Sequence, residues 1–177
     1  IKFWLKDKAH LIVIKNAVKN SKHILVTSEF TKNDVGKTLH VPIQKMTVVY
    51  QAPFVAINNE QLAINKDDIL EKFKINKPYV LYVGSAYPHK NLEGLLKAWK
   101  IFGDKYGTDY KLVFVGDNNN YFYKRLLQSQ ENEAVKGGVV FTGLIPDNEL
   151  SAIYSKANLY VFPSFYEGFG LPPLEAM

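Results

Sequence analysis

"YVLYVGSAYPHKNLEGLLKAWKIFGDKYG", residues 79–107, changes its hydrophobic period part-way along. Its first six residues form a β-branched and aromatic run ending in glycine, which predicts a strand. From Asn91 onward the apolar residues fall at 92, 95, 96, 99 and 102, the spacing of one helix face. Asn91 is a candidate cap for that helix and Gly107 a candidate stop. The alternation then repeats. "KLVFVGD" (111–117) reads as a strand leaving through Gly-Asp, "YFYKRLLQSQENEA" (121–134) as a helix, and "GVVFTG" (138–143) as a strand. "PDNELSAIYSKA" (146–157) opens on Pro and Asp and is apolar at 150, 153, 154 and 157, so a helix is expected. "NLYVFPS" (158–164) is the next strand, and "PPLEAM" begins another helix with proline in its first turn.

Nearly continuous apolar strands separated by helices are what burial on both faces of a parallel sheet demands. The fold class is therefore α/β, a parallel sheet with flanking helices. Right-handed crossovers put all strand C-termini on one edge, and ligands of open α/β sheets bind at that edge. Gly84, Gly116, Gly143 and Pro163–Ser164 fall there.

Upstream lies a separate piece, residues 1–50. "HLIVIKNAVKN" reads as helix, "HILVTSEF" as a strand and its exit, "TKNDVGKTL" as a short helix and "MTVVY" as a strand. Residues 51–70, weakly periodic, read as an interdomain linker, which leaves 71–177 as the second unit. The net charge of +5 is confined to the first piece. Residues 1–40 hold eight lysines against three acids, and residues 41–177 hold 14 basic and 14 acidic residues. Lys8, Lys15, Lys19 and Lys22 are spaced to share one helix face. That face suits an anionic membrane or an acidic acceptor, and equally suits simple solvation.

No apolar run approaches the roughly 18 residues of a membrane span, and the N-terminus lacks the apolar core and cleavage site of a secretory signal. With no cysteine there is neither a disulfide nor thiolate-bound zinc, in keeping with a reducing cytosol. The four histidines (10, 23, 40, 89) lack metal-ligand spacing, and no Asp-x-Asp pair occurs. No metal or other cofactor is expected, and nucleic acid is not among the expected partners.

The chemistry-bearing stretch is "SFYEGFGLPPLEAM" (164–177), in which seven residues separate Glu167 from Glu175. Glycines let a backbone approach a ligand closely, and a helix starting near Pro172 favours anions at its first turn. The loop carboxylate and the helix carboxylate can both accept from hydroxyls. Such a set suits a ligand anionic in the middle and hydroxyl-rich at both ends, such as a sugar nucleotide. The plainer alternative is a turn residue followed by an acid that complements the helix dipole. Lys90 precedes a helix start, where an ammonium and helical N–H groups can meet a diphosphate, although a lone lysine there can also be solvated surface. Neither a phosphate-binding Gly-x-x-x-x-Gly-Lys loop nor a Gly-x-Gly-x-x-Gly fingerprint is present. Leu144 and Ile145 follow a strand exit, where a flat base could slide in or an ordinary turn could lie.

Taken in order, "VGSAYPHKNLEGLLKAW", "LVFVGD" and "VVFTGLIPDNELSAIYSKANLYVFPSFYEGFGLPPLEAM" resemble the C-terminal half of family 4 glycosyltransferases, retaining enzymes of the GT-B fold with two Rossmann-like domains. "HILVTSEFTKNDV" and "MTVVYQAP" resemble the end of that family's N-terminal, acceptor domain and its hinge. The resemblance implies a Rossmann-like donor domain and transfer of a hexosyl group, mannosyl first among the candidates, to a glycan or lipid-linked acceptor. The donor would be GDP-mannose or a UDP-hexose. Glu167 would contact the sugar near its anomeric carbon beside the backbone of Gly168, Phe169 and Gly170, and Glu175 would bind the ribose hydroxyls. Lys90 would neutralise the diphosphate, Gly84, Ser85 and Gly116 would line the donor site, and Leu144–Ile145 would border the base. Glu167 and Lys90 are thus the implied catalytic residues.

One departure stands out. Many members carry arginine directly after the first loop's glycine, where this chain has Ser85, and His89 is the only nearby substitute. The resemblance also implies that the enzyme continues beyond Met177, that most of an acceptor domain lies outside this chain, and that the fragment alone is inactive. A cytoplasmic location with peripheral membrane contact is expected. A non-catalytic nucleotide-sugar binding module is the alternative, opposed by the paired glutamates. An unrelated nucleotide-binding domain is opposed by the missing glycine fingerprint.

Overall fold

The computed structural model describes residues 2–53, 65–76, 78–107, 109–119, 121–128 and 138–177. The chain divides into two compact units, Ile1–Ala52 and Pro53–Met177.

In the first unit, helix α1 (Lys2–Asn20) leads to β1 (Ile24–Val26), α2 (Glu29–Leu39) and β2 (Met46–Val48). β1 and β2 pair in parallel, Ile24 opposite Met46. Val26, Val41 and Met46 form a small core against Val18, Ile24, Val35, Leu39 and Val48. Two sequence expectations are corrected. The second helix starts at Glu29 rather than after Phe30, because Ser28 Oγ accepts the Thr31 N–H at 3.0 Å and fixes the helix start. The first helix stops at Asn20, so Lys22 lies beyond it and, of the four lysines expected on one face, Lys8, Lys15 and Lys19 belong to the helix. Its last carbonyls are occupied: Ser21 Oγ donates to Val18 O at 2.9 Å and Lys45 Nζ donates to the same oxygen at 2.7 Å.

The second unit begins with α3 (Lys66–Lys72), followed by β3 (Tyr79–Val83), α4 (Leu92–Tyr106), β4 (Lys111–Val115), α5 (Tyr121–Leu127), β5 (Val139–Gly143), α6 (Asp147–Lys156), β6 (Leu159–Tyr160) and α7 (Leu171–Glu175). α3 occupies the end of the stretch read as linker. Asn65 caps it through the Asp67 N–H, and its Ile69 is 4% exposed in this unit's core. Seven residues with one buried side chain leave too short a periodic signal to be read from sequence. The middle of the expected linker and the latter half of the helix expected at 121–134 lie outside the described residues.

The strands form one parallel sheet in the order β5-β4-β3-β6. Both faces are covered, as the continuous apolar strands require. Tyr79, Leu81, Val113 and Val115 pack with Ile69 of α3 and Ala152 and Ile153 of α6. Tyr82, Leu112 and Phe114 pack with Leu92 and Leu96 of α4 and Tyr123 and Leu126 of α5 on the other side. Neighbours along each strand thus alternate between two cores. Leu81, Leu112, Val113, Leu96 and Ile153 are 0% exposed, and each contributes on the order of 2 kcal/mol of burial. Tyr79 is admitted to the core because its hydroxyl donates to Ile153 O at 2.6 Å. β6 is shorter than the apolar run suggested. Its ladder closes with Val161 N donating to Leu81 O at 2.9 Å, and Pro163, without an N–H, cannot extend it.

Candidate functional site

The strand order decides where the site lies. β3 is the first strand of the sheet and β6 its last, yet they are neighbours: from β3 the sheet grows through β4 to β5 on one side, and β6 is then added on the other side of β3. Ligands of open α/β sheets bind at such a switch point, outside the strand C-termini. From β3 the chain passes Gly84 and Ser85 to a single 3-10 turn, Pro88–Lys90. From β6 it passes Phe162 and Pro163 to Glu167. Hydrogen bonds and an ion pair join the two loops. Phe165 N donates to His89 O at 2.8 Å, Asn91 Nδ2 donates to Pro163 O at 3.2 Å, and Lys90 Nζ pairs with Glu167 Oε1 at 2.5 Å. Asn91 is thereby corrected from its expected role. It stands at the α4 N-cap position but in the left-handed region (φ 57°) with no side-chain cap bond, its amide being used across the loops instead.

Lys90 and Glu167 are 77 residues apart in sequence, and their side chains are only 17% and 23% exposed. The ammonium also lies 5.8 Å from the centre of the Phe162 ring, whose face favours a cation. Partial burial works against the Glu167 charge. Hydrogen bonding from Lys90 and Ser164 and the charges of Lys90 and His89 outweigh it, and hold the carboxyl below the ordinary value of 4.5. Ser164 Oγ is itself buried and has no hydrogen bond of ordinary geometry among the described residues, so the lowering rests mainly on Lys90.

Glu175 lies on α7, exposed, and its Oε2 accepts from the Tyr154 hydroxyl at 3.0 Å. Tyr154, Tyr160 and Phe162 form an aromatic row, with ring centres 5.9 Å and 6.5 Å apart in turn. Burial raises the Tyr160 phenol well above the ordinary value of 10; the hydrogen bond to Val83 O works against this, and the charges of Glu175 and Glu167 add to it. The row joins the helix acid to the Lys90 end of the site.

The remaining sequence candidates sort by environment. The amides of Gly84 and Gly116 are used between strands, Gly84 N to Val115 O at 2.9 Å and Gly116 N to Gly143 O at 3.1 Å. They therefore offer close approach and no free donor. A Cβ on Gly116 would stand 2.1 Å from Gly84 O, so no side chain fits. Ser85 O accepts from the Tyr82 hydroxyl at 2.9 Å, which fixes the first loop where it leaves the strand. Gly168 and Phe169 form the turn after Glu167, and Gly170 (φ 84°) turns the chain into α7 in a conformation that favours glycine. Pro172 and Pro173 bring no N–H to that first turn. Of the donors expected of a helix start, the first turn itself keeps those of Leu171 and Leu174. Leu144 and Ile145 divide: Leu144 is 70% exposed, whereas Ile145, 7% exposed, is committed to the core.

Tyr154, Tyr160 and Phe162 were not singled out by sequence reasoning, which named Ser164 only by its place at the strand edge. Tyr154 reads as one more apolar residue on a helix face. Only its hydroxyl, placed opposite Glu175 by the sheet order, separates it from a core residue.

The fold and its switch point define an α/β protein of the open parallel-sheet class, in which ligands bind at the strand ends. The chain belongs to the family of glycosyl transferases group 1, whose model matches residues 65–177. It is 35% identical over 165 residues to the O-antigen chain mannosyltransferase RfbU of Salmonella typhimurium, covering 93% of this chain and 42% of that protein. It is 29% identical over 168 residues to O-antigen chain mannosyltransferase B of Escherichia coli, covering 93% and 43%. The chain thus spans less than half the length of these curated relatives. Among solved structures it shares its fold with HepE of Anabaena in complex with UDP-glucose, at a TM-score of 0.70 and 16% identity over 95% of this chain and 46% of that one. Sucrose-phosphate synthase of Thermosynechococcus elongatus matches equally well, with a TM-score of 0.70 and 24% identity over 96% and 41%.

Proposed function

We propose that the whole protein is a retaining glycosyltransferase of the family 4, GT-B type, and that residues 65–177 belong to its donor-binding domain. It transfers a hexosyl group, mannosyl first among the candidates, from a nucleotide-diphosphate sugar to a glycan or lipid-linked acceptor. The observation that carries this reading is the Lys90–Glu167 pair at the switch point between β3 and β6. The names of the mannosyltransferase relatives and the UDP-glucose bound to the Anabaena neighbour support it.

In this reading Lys90 is the cation of the leaving group. Without donor its charge is balanced by Glu167; a diphosphate offers this point charge more oxygen partners and more negative charge. Sharing Lys90 with the phosphates leaves Glu167 oxygens available to hydroxyls of the transferred sugar. Catalysis then rests on holding the anomeric carbon in place and stabilising negative charge as the diphosphate departs from an oxocarbenium-like transition state. No metal is needed for that task where a lysine supplies the charge. The enzyme works on the cytoplasmic side, with the basic first unit drawn to an anionic membrane surface.

Transfer from GDP-mannose and from UDP-glucose by the intact protein, with the product's anomeric configuration read by NMR, tests the proposal. An α-linked product from an α-linked donor is expected. An inverted linkage would exclude retention, and no turnover of any hexosyl nucleotide would favour a binding module.

A further inference from the structure

We infer that Tyr154 is a positioning residue for Glu175: its hydroxyl holds one carboxylate oxygen so that the other is presented to a vicinal diol. The inference rests on the donor-binding reading proposed above together with the role that the family resemblance implies for Glu175, acceptor of the nucleotide ribose hydroxyls. Glu175 lies in a helix of only five residues, and its side chain is long, exposed and rotamer-rich. A carboxylate with free rotation makes a poor template for two hydroxyls at fixed separation. The Tyr154 hydroxyl removes that freedom by donating to Oε2 at 3.0 Å. Each carboxylate oxygen can accept more than once, so Oε1 stays available for the ligand.

The brace is itself rigid. The Tyr154 ring packs against the core between α6 and the sheet and lies 5.9 Å from the Tyr160 ring. Tyr160 hydrogen-bonds Val83 O at 3.4 Å where β3 ends. The position of Glu175 is thus referred to the strand that leads to Lys90. Burial, with the Tyr160 and Glu175 charges adding to it, keeps the Tyr154 phenol protonated far above neutral pH, so the donor is always present.

The test is titration of the intact protein with UDP and with GDP, and with counterparts of each that lack both ribose hydroxyls. Tyr154→Phe keeps the ring and removes one hydrogen bond, and should weaken binding of UDP and GDP by roughly five- to tenfold. Binding of the dideoxy counterparts should be unchanged, a pattern that loss of packing cannot produce. Equal weakening of both kinds of ligand would reduce Tyr154 to a structural role and overturn the inference. So would unchanged UDP and GDP affinity in Tyr154→Phe when Glu175→Gln abolishes the preference for ribose. A Glu175→Gln protein that still prefers ribose would instead remove the underlying reading of Glu175.

Discussion

Removing the ammonium of Lys90 takes away the one described cation in contact with the switch-point carboxylate, with Ser85 offering no second charge. Lys90→Ala in the intact protein should lower turnover by about 2–4 kcal/mol in activation free energy, the scale of one lost electrostatic donor. Steady-state rates check this, and near-wild-type turnover would assign the diphosphate to His89 or another group. The partner residue makes a pH prediction. The folded Glu167 carboxyl titrates below its ordinary value of 4.5, so its ionised form is favoured by folding. Its contribution to stability is complete above about pH 5 and is lost as pH falls through the lowered folded value. Melting temperatures of wild type and Glu167→Gln should therefore differ by a constant amount near neutrality and converge on acidification below pH ~4. A gap that widens in acid would contradict the assigned shift.

Between elements, contact distance decides what a residue is for. The approach of β3 to β4 leaves 2.1 Å between Gly84 O and any Cβ at position 116. Gly116→Ala must push the two strand ends apart, and should destabilise the protein by about 1–3 kcal/mol, measured by denaturant titration. Gly103 meets nothing within 4 Å, and Gly103→Ala inside α4 should raise stability by about 0.5–1 kcal/mol. The basic surface of α1 carries the remaining prediction at this scale. Lys8, Lys15, Lys19 and the following Lys22 are exposed, as are Leu11, Ile12 and Val13. If this surface meets anionic lipid, reversing the four charges should remove about 1 kcal/mol of attraction per lysine at low salt, read by vesicle co-sedimentation. Unchanged binding would leave only a solvated helix face. No helix among the described residues is long and apolar enough to cross a membrane.

At the scale of the whole molecule, transfer should survive a chelator, since the proposed leaving-group charge is Lys90 and not a metal. Activity abolished by EDTA and restored by a divalent ion would overturn that part of the mechanism. Much of this architecture could be read from residues 79–177 alone. Strand and helix periods differ and are local, so alternation of elements, parallel strands and burial on both faces followed directly from them. The position of Lys90, Glu167 and Glu175 after strands or early in helices was legible for the same reason. What local periodicity does not carry is the order of strands, because several parallel orders satisfy the same pattern and the same right-handed crossovers. Only the tertiary structure sets β6 beside β3, which turns residues 90 and 167 into an ion pair and places the Tyr154 hydroxyl on Glu175. It alone shows Ile145 taken into the core and the amides of Gly84 and Gly116 used between strands. The physical reason is one of range: a helix or strand is written in neighbours a few residues apart, whereas this site is made by pairs up to 77 residues apart, whose meeting depends on how the whole sheet closes its two cores.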